Sequence, residues 1–494
     1  MKILANIYGN NPILFVFIAL LPILYFPIFY NLDLNPIMMW DESRQAINVY
    51  EMVKNGKIFV PHFNQIPDLY NTKPPLLLWL QSTFWLISHN KELALRLPSA
   101  IAALFTCLSL IWFMHKWNKR AWLGGIAAIL LVSTPGYIDL HCTRTGDYDA
   151  LLVLFTSCFL MHFYFFVTVH HHKNAYYATL FFSLAFCTKA AAALLFLPGI
   201  ILFFFINYAD TPKLKNYLIA KCFIIFLAFF ILFFGIRIYL DPAYLAATWE
   251  NDFAGRFNKP YDGHQQKWYF YLYLIITKKA TAISIFAFFA FILWRNKHQS
   301  LKKLTQFLHI SCLGFLLAIT FAQTKIFWYV CPIYPLLSLL SCLIIHAYFS
   351  KIKTNSRLKT LVIQLFILSI ILILNYIKII NTVKKPIYFD WEGTGEIYSK
   401  SLILQDWYKN KAPEGIITIV HNEHYRPWLA IYANLINQKN KVKKINILHA
   451  SKTTFIKGNY YLVDEKEKES FFRNQQFLEI DNKNNVILYQ YLGN

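Results

Sequence analysis

Two acidic clusters are the residues best placed to do chemistry in this chain. Asp41 and Glu42 stand in the run Trp40-Asp41-Glu42-Ser43-Arg44, just past an apolar stretch, and Arg144-Thr145-Gly146-Asp147-Tyr148-Asp149 forms the second cluster. Carboxylates near lipid are costly, so a chain this apolar keeps few of them without a use. Such groups can act as general bases, hold a cation or orient a substrate. A structural reading stays open beside the chemical one. Asp is a favoured N-cap, which suits Asp41 ahead of a helix over 42–53, and Arg with Gly and two Asp suits a tight turn. Cations occur in similar places: Lys73 in Lys73-Pro74-Pro75, Lys189 after an apolar run, Arg256 and His264 in one polar stretch, and Lys325 in Lys325-Ile326-Phe327-Trp328-Tyr329. Each alone reads as a snorkelling or solvated cation. Gathered beside carboxylates, they suit a phosphate-bearing substrate.

The elements that must position these groups are membrane helices. The 494 residues are 57% hydrophobic and only 15% charged, against about 25% charged in soluble domains. Apolar runs such as 12–30 and 194–208 approach the ~20 residues that cross a hydrocarbon core. The spacing predicts a polytopic α-helical membrane protein with about eleven spanning segments, near 12–30, 95–114, 121–140, 150–169, 175–189, 191–208, 222–240, 277–294, 304–322, 330–349 and 360–380. The fifth and sixth share a tight turn at Thr188-Lys189-Ala190. The start, Lys2 followed by an apolar run, reads as an uncleaved signal anchor.

The net charge of +22 does not imply nucleic acid. The basic residues fall in short alternate loops, among them Lys116, Lys119, Arg120, Lys213, Lys215, Lys302 and Lys351, which marks those loops as cytoplasmic. Thirteen of the fourteen acids before residue 381 then lie on the outer side, with Asp210 the exception. Longer outer loops explain part of that bias; an outward-facing polar site explains the rest. The run His170-His171-His172 falls on the cytoplasmic side and reads as loop decoration. All eight cysteines lie between Cys107 and Cys342, so no disulfide framework is implied.

Two domains are expected. Residues 1–380 form the membrane domain, with 31–94 as a long first outer loop carrying surface helices near 42–53 and 76–87. Residues 381–494 have mixed charge, strand-like runs at 416–420, 444–448, 460–463, 477–480 and 486–491, and a helix after Arg426-Pro427. They read as an extracytoplasmic α/β domain. Neither a Walker motif nor a G-x-G-x-x-G run is present, so no nucleotide is expected.

The ordered pieces Trp40-Asp41-Glu42-Ser43-Arg44, Tyr70-Asn71-Thr72-Lys73-Pro74-Pro75-Leu76, Arg144 to Leu151, Thr188-Lys189, Arg256-Phe257 with His264, and Lys325 to Pro335 give the chain a family likeness over about residues 10–350. It resembles the GT-C membrane glycosyltransferases of the protein-mannosyltransferase type (glycosyltransferase family 39-like), especially bacterial aminoarabinose transferases acting on lipid A. The resemblance implies a sugar donor on a polyprenyl phosphate and a lipid or protein acceptor at the outer face of the inner membrane. It implies Asp41 and Asp149 as catalytic carboxylates. Glu42, Arg44, Lys73, Asp147, Lys189, Arg256, Lys325 and Tyr329 would bind substrates. The family glutamate that helps hold a metal is Thr72 here, while His264 remains. A divalent metal at His264 is therefore an open expectation, with Asp41, Glu42 or Asp68 as replacement ligands. Trp40, Tyr70, Trp79 and Trp268 would line a sugar or lipid path or anchor at the interface. The rival reading is a transporter or flippase of a lipid-linked sugar. Transporters favour repeats and mid-membrane polar groups, and neither stands out here.

Overall fold

Lipid offers no hydrogen bonds, so each apolar run must satisfy its own backbone groups, and a helix does so. The computed structural model describes residues 11–138, 141–207, 216–260, 263–349, 373–385, 395–421, 426–440, 444–465, 468, 476–483 and 485–493. In chain order the longer helices before residue 350 are α1 (Pro12–Ile28), α2 (Asp41–Asn55), α3 (Leu76–Ile87), α4 (Lys91–Asn118), α5 (Ala121–Val132), α6 (Asp149–Val169), α7 (His172–Leu194), α8 (Leu197–Ile206), α9 (Asn216–Leu240), α10 (Phe270–Lys279), α11 (Thr281–Arg295), α12 (Gln299–Phe321) and α13 (Phe327–Phe349), with short helical turns at Pro135–Ile138 and from Ala243 to Asn258.

Among the described residues, six helices are long and apolar enough to cross a membrane: α4, α6, α7, α9, α12 and α13. The pair α10 and α11 is bent by 113° at Ala280 and adds a seventh if it is one broken span. Helices α1, α5 and α8 coincide with other expected spans but have 17, 12 and 10 residues. The segment 360–380 lies mostly outside the described residues, as do Asp210, Asp262, Lys213, Lys215 and Lys351. The turn expected at Thr188-Lys189-Ala190 is instead a break inside α7, where Lys189 leaves helical geometry at φ −154° and ψ 78°. Small residues allow close helix packing: a Cβ on Gly124 would lie 2.4 Å from the Ile111 backbone.

The long loop 31–90 between α1 and α4 holds α2, α3 and a short hairpin of β1 (His62–Phe63) and β2 (Ile66–Pro67). The C-terminal α/β domain contains α14 (Gly395–Lys409), α15 (Pro427–Asn440) and the strands β3 (Ile417–His421), β4 (Ile445–His449), β5 (Tyr460–Asp464), β6 (Gln476–Lys483) and β7 (Val486–Gly493). The sheet order is β4-β3-β5-β7-β6, parallel from β3 to both β4 and β5 and antiparallel around β7. The expected strands and the helix at Pro427 are all present; α14 was not foreseen. One hydrophobic cluster joins Ile417, Ile419, Trp428, Tyr432 and Leu488 to Ala46, Val49, Leu78 and Leu95. The C-terminal domain thus shares a core with this loop.

Candidate active site

Three buried arginines pin the backbone around the site. Arg144 donates to the carbonyls of Pro27, Tyr30 and Asn31 at 2.8–3.1 Å. Arg96 donates to those of Leu32, Asn35 and Pro36, and grips Glu42 with two bonds of 2.8 Å. Arg237 donates to Asp68, Asn71 and Lys73 at 3.1–3.2 Å and stacks on Tyr244, 3.8 Å from the ring centroid. Loop carbonyls buried near lipid need such partners, and the guanidinium fork supplies several at once. Gly146 brings the second acidic cluster close: a Cβ there would lie 2.9 Å from the Leu95 carbonyl oxygen.

A pocket of about 370 Å³ opens between these segments. It is lined by Asp41, Arg44, Gln45, Tyr70, Asn71, Lys73, His141, Asp147, Tyr148, Asp149, Lys189 and Trp328. Asp41 is the first residue of α2, so the positive end of the helix dipole favours its charge. The N-cap is Trp40, not Asp41. Trp40 and His141 both take positive φ, 66° each, conformations that non-glycine residues keep only when their surroundings hold them. The His141 ring stacks on Trp328 at 3.6 Å, and its Nδ1 lies 3.8 Å from Asp41 and 3.4 Å from Asp147. Asp147 also accepts from Gln45 at 3.1 Å and from the Thr145 hydroxyl at 2.5 Å.

Charges on this wall are poised differently. Burial acts to raise Asp41, but His141, Lys73, Lys189 and Arg256 outweigh it and hold the carboxyl below its usual range. Burial pushes Asp147 up to about 6, with His141 opposing and Asp41 adding to the rise. Burial also holds the Lys73 ammonium below the usual lysine value, against the pull of Asp252 and Asp41. Among the described residues the Lys73 ammonium makes no hydrogen bond or ion pair; it stands 5.6 Å from the Tyr148 ring. A desolvated cation in that position is suited to receive an anion.

The structure brings together Asp41, Arg44, Lys73, Asp147, Asp149 and Lys189 from the residues read in the sequence. Both oxygens of Asp149 accept from Lys189, at 2.8 and 3.0 Å. Arg44 pairs with Asp68 at 2.8 Å and stands over the rings of Phe63 and Tyr70. Arg256 donates to the Tyr329 hydroxyl, and the Tyr329 ring lies 5.3 Å from the Lys189 ammonium, behind the pocket wall.

Three sequence readings change. Glu42 does not line the pocket: its oxygens are taken by Arg96, Met38 N–H and Gly146 N–H, which hold it below its usual range although burial alone would raise it. Lys325 donates its ammonium to the Ala322 carbonyl at 2.7 Å and does not reach the pocket either. His264 accepts the Lys325 backbone N–H at 2.9 Å and is not part of the His/carboxylate group at the site. That group is Asp41, His141 and Asp147, with ligand atoms within 4.8 Å of one another. At the departed glutamate position, the Thr72 hydroxyl donates to Asp252 at 2.5 Å, so a carboxylate reaches this spot from another element. His141, Gln45 and Trp328 were missed. A histidine between two acidic clusters was the available signal for His141. Of the aromatics considered, Tyr70 lines the pocket, Trp40 packs on Trp428 at 5.9 Å, Trp79 packs on Phe233 and Trp268 is exposed.

The comparisons agree with this geometry. Residues 72–234 match the family described as dolichyl-phosphate-mannose-protein mannosyltransferase. An undecaprenyl phosphate-alpha-4-amino-4-deoxy-L-arabinose arabinosyl transferase of Aeromonas salmonicida is 30% identical over 149 residues, 28% of this chain and 25% of the relative. The match thus spans about a quarter of that relative's length. Among solved structures, ArnT from Cupriavidus metallidurans bound to undecaprenyl phosphate superposes with a TM-score of 0.67 at 13% identity, over 96% of this chain and 97% of its own. The oligosaccharyltransferase AglB from Archaeoglobus fulgidus, in complex with an inhibitory peptide and a dolichol-phosphate, gives 0.56 at 12% identity, over 99% of this chain and 75% of its own. The two structures share the fold with this chain. With the sequence matches, they make the chain similar to GT-C membrane glycosyltransferases of the protein-mannosyltransferase and aminoarabinose-transferase type.

Proposed function

We propose that this protein transfers a sugar from a polyprenyl-phosphate carrier to a lipid acceptor resembling lipid A. Transfer would take place at the outer face of the inner membrane, with the pocket and C-terminal domain in the periplasm. The observation that carries this reading is one pocket holding Asp41 beside Lys73, whose ammonium has no hydrogen bond or ion pair among the described residues, and the cations Arg44 and Lys189. Breaking a sugar–phosphate bond places negative charge on the leaving phosphate, and preorganised cations stabilise that charge best in a desolvated site. Lys73 and Lys189 hold the phosphate in this reading, with Arg256 and Tyr329 behind them. Asp149 fixes Lys189. Arg120, read as cytoplasmic, meets His346 at the end of α13 and does not line the pocket, as expected if the pocket opens on the opposite side.

The anomeric carbon loses its bond to the phosphate oxygen, which departs with the electron pair. An acceptor oxygen forms the new bond from the opposite face. For a hydroxyl acceptor, Asp41 takes the proton. For a phosphate acceptor no base is needed, and Asp41 orients the attacking group. A protein hydroxyl is the alternative acceptor, matching the description of the family that residues 72–234 resemble.

Asp41, His141 and Asp147 fit a divalent cation. They mix carboxylate and imidazole ligands at short mutual distances. Gln45 on the same wall has a buried amide oxygen without a hydrogen-bond partner among the described residues. Bound there, such an ion would supply positive charge beside the carboxylates and the donor phosphate.

The test is sugar transfer from polyprenyl-phosphate donors in membranes containing wild type or Asp41→Asn, with lipid and glycoprotein fractions read by mass spectrometry. A modified lipid that is lost in the variant is the expected result. Modification of protein alone would reassign the acceptor. Movement of intact donor across the bilayer with no product would favour the flippase reading.

A further inference from the structure

The C-terminal domain reaches the pocket through buried hydrogen bonds that meet at the 35–38 segment, where Tyr432 holds Ile37 N–H, Arg96 holds the Asn35 and Pro36 carbonyls, and Glu42 holds Met38 N–H. Tyr432 on α15 is fully buried where the domain meets the loop between α1 and α4. Its hydroxyl accepts the Ile37 N–H at 2.9 Å and donates to Glu92 at 2.8 Å. Gln405 of α14 donates to the same Glu92 oxygen at 2.9 Å. Glu92 lies one turn before Arg96 on α4 and acts on it as a nearby opposite charge, with no hydrogen bond between the two among the described residues. Arg96 spends all its N–H donors on the carbonyls of Leu32, Asn35 and Pro36 and on Glu42, so it has no spare geometry to adopt. Glu42 accepts Gly146 N–H at 2.8 Å. Asp41 precedes Glu42 and Asp147 follows Gly146, so this network ends one residue from each pocket carboxylate.

We infer that Tyr432 is a positioning residue for the transfer reaction, acting from the C-terminal domain through the 35–38 segment, Glu92, Arg96 and Glu42 on Asp41 and Asp147. This rests on the proposed transferase function. The network touches the carboxylate side of the pocket and leaves the phosphate side alone. Lys73 is carried by the loop that Arg237 pins, and Lys189 is held by Asp149. Loss of the Tyr432 hydroxyl leaves Ile37 N–H and Glu92 without this partner and loosens the segment leading into Asp41. Misplacing a reacting group by about 1 Å costs up to ~100-fold in rate. The effect belongs in kcat, and donor KM stays near wild type.

The experiment compares full-length wild type, Tyr432→Phe and Tyr408→Phe in proteoliposomes with undecaprenyl-phosphate-linked sugar and purified lipid A. Tyr408 is the control because its hydroxyl meets the same loop at the His89 carbonyl, 3.3 Å away, without joining the network. The expected result is at least a ~10-fold fall in kcat for Tyr432→Phe, with donor KM within ~2-fold, and unchanged constants for Tyr408→Phe. Glu92→Ala removes the same contact from the membrane side and gives the same split should Tyr432→Phe fail to fold. Wild-type kcat in Tyr432→Phe or in a folded Glu92→Ala overturns the inference. So does an equal loss in Tyr408→Phe, which would mean general docking. No product from wild type overturns the proposed function, and this inference with it.

Discussion

Asp41 and Asp147 face one imidazole yet are driven in opposite directions, Asp41 down and Asp147 up to about 6. The sign of the pH effect follows. Asp147 is neutral below about pH 6 and charged above it, so the pair carries both negative charges only above that value. Because its pKa is raised from 3.8 on folding, the protein binds this proton more tightly than the unfolded chain does. Stability falls as pH rises from about 4 to 6, by on the order of 3 kcal/mol. A cation between the carboxylates offsets that cost where both are charged. Manganese is therefore expected to raise the thermal midpoint of wild type more at pH 7 than at pH 5, and to leave Asp147→Asn or His141→Ala unmoved. Equal shifts in all three proteins would place the ion elsewhere.

At the scale of elements, the buried arginines divide the site into two halves. Arg96 and Arg144 pin the segments around Asp41; Arg237 pins the 68–73 turn that presents Lys73. A neutral glutamine at 237 keeps some donors but loses the fork geometry and the stack on Tyr244. Arg237→Gln is expected to raise donor KM by about tenfold, near one charge-assisted hydrogen bond of ~1.5 kcal/mol, with a smaller effect on kcat. An unchanged KM would mean that the turn holds Lys73 without Arg237. The break in α7 has a similar use. Regular helix at Lys189 would alter the direction of its side chain, which the observed break aims at Asp149.

Across the whole molecule, the C-terminal domain and the loop between α1 and α4 bury one cluster together. Trp428 is fully buried against Trp40, and Tyr432 is hydrogen-bonded into the loop. Removing residues 386–494 would uncover the apolar face of Ala46, Val49 and Leu95. Such a truncation is expected to lower the thermal midpoint of the membrane domain and to abolish transfer with every acceptor tried. A truncated protein that keeps both its midpoint and its rate would show that the shared core is dispensable. Tyr432→Phe separates the catalytic share of this contact from its share in folding.

The sequence by itself determined what periodicity and composition can encode: the helical membrane class, the positions of the longer apolar helices, the late strands and the pairing of acidic clusters with scattered cations. These are local signals, since apolar length and turn chemistry act within a few dozen residues. Asp41, Lys73, Asp147 and Lys189 were legible because charge is rare in such a chain. Tertiary structure decided which charges remain for chemistry. Glu42 and Asp41 are adjacent in sequence, yet Arg96 and the Gly146 N–H consume one and leave the other facing the pocket. His141 displaces His264 as the imidazole at the carboxylates because the loop after residue 140 folds against α2 and Trp328. The coupling through Tyr432 joins residues 340 apart, at Glu92, and 395 apart, at Ile37. Contacts over that separation follow from how the domains pack, which no local pattern records.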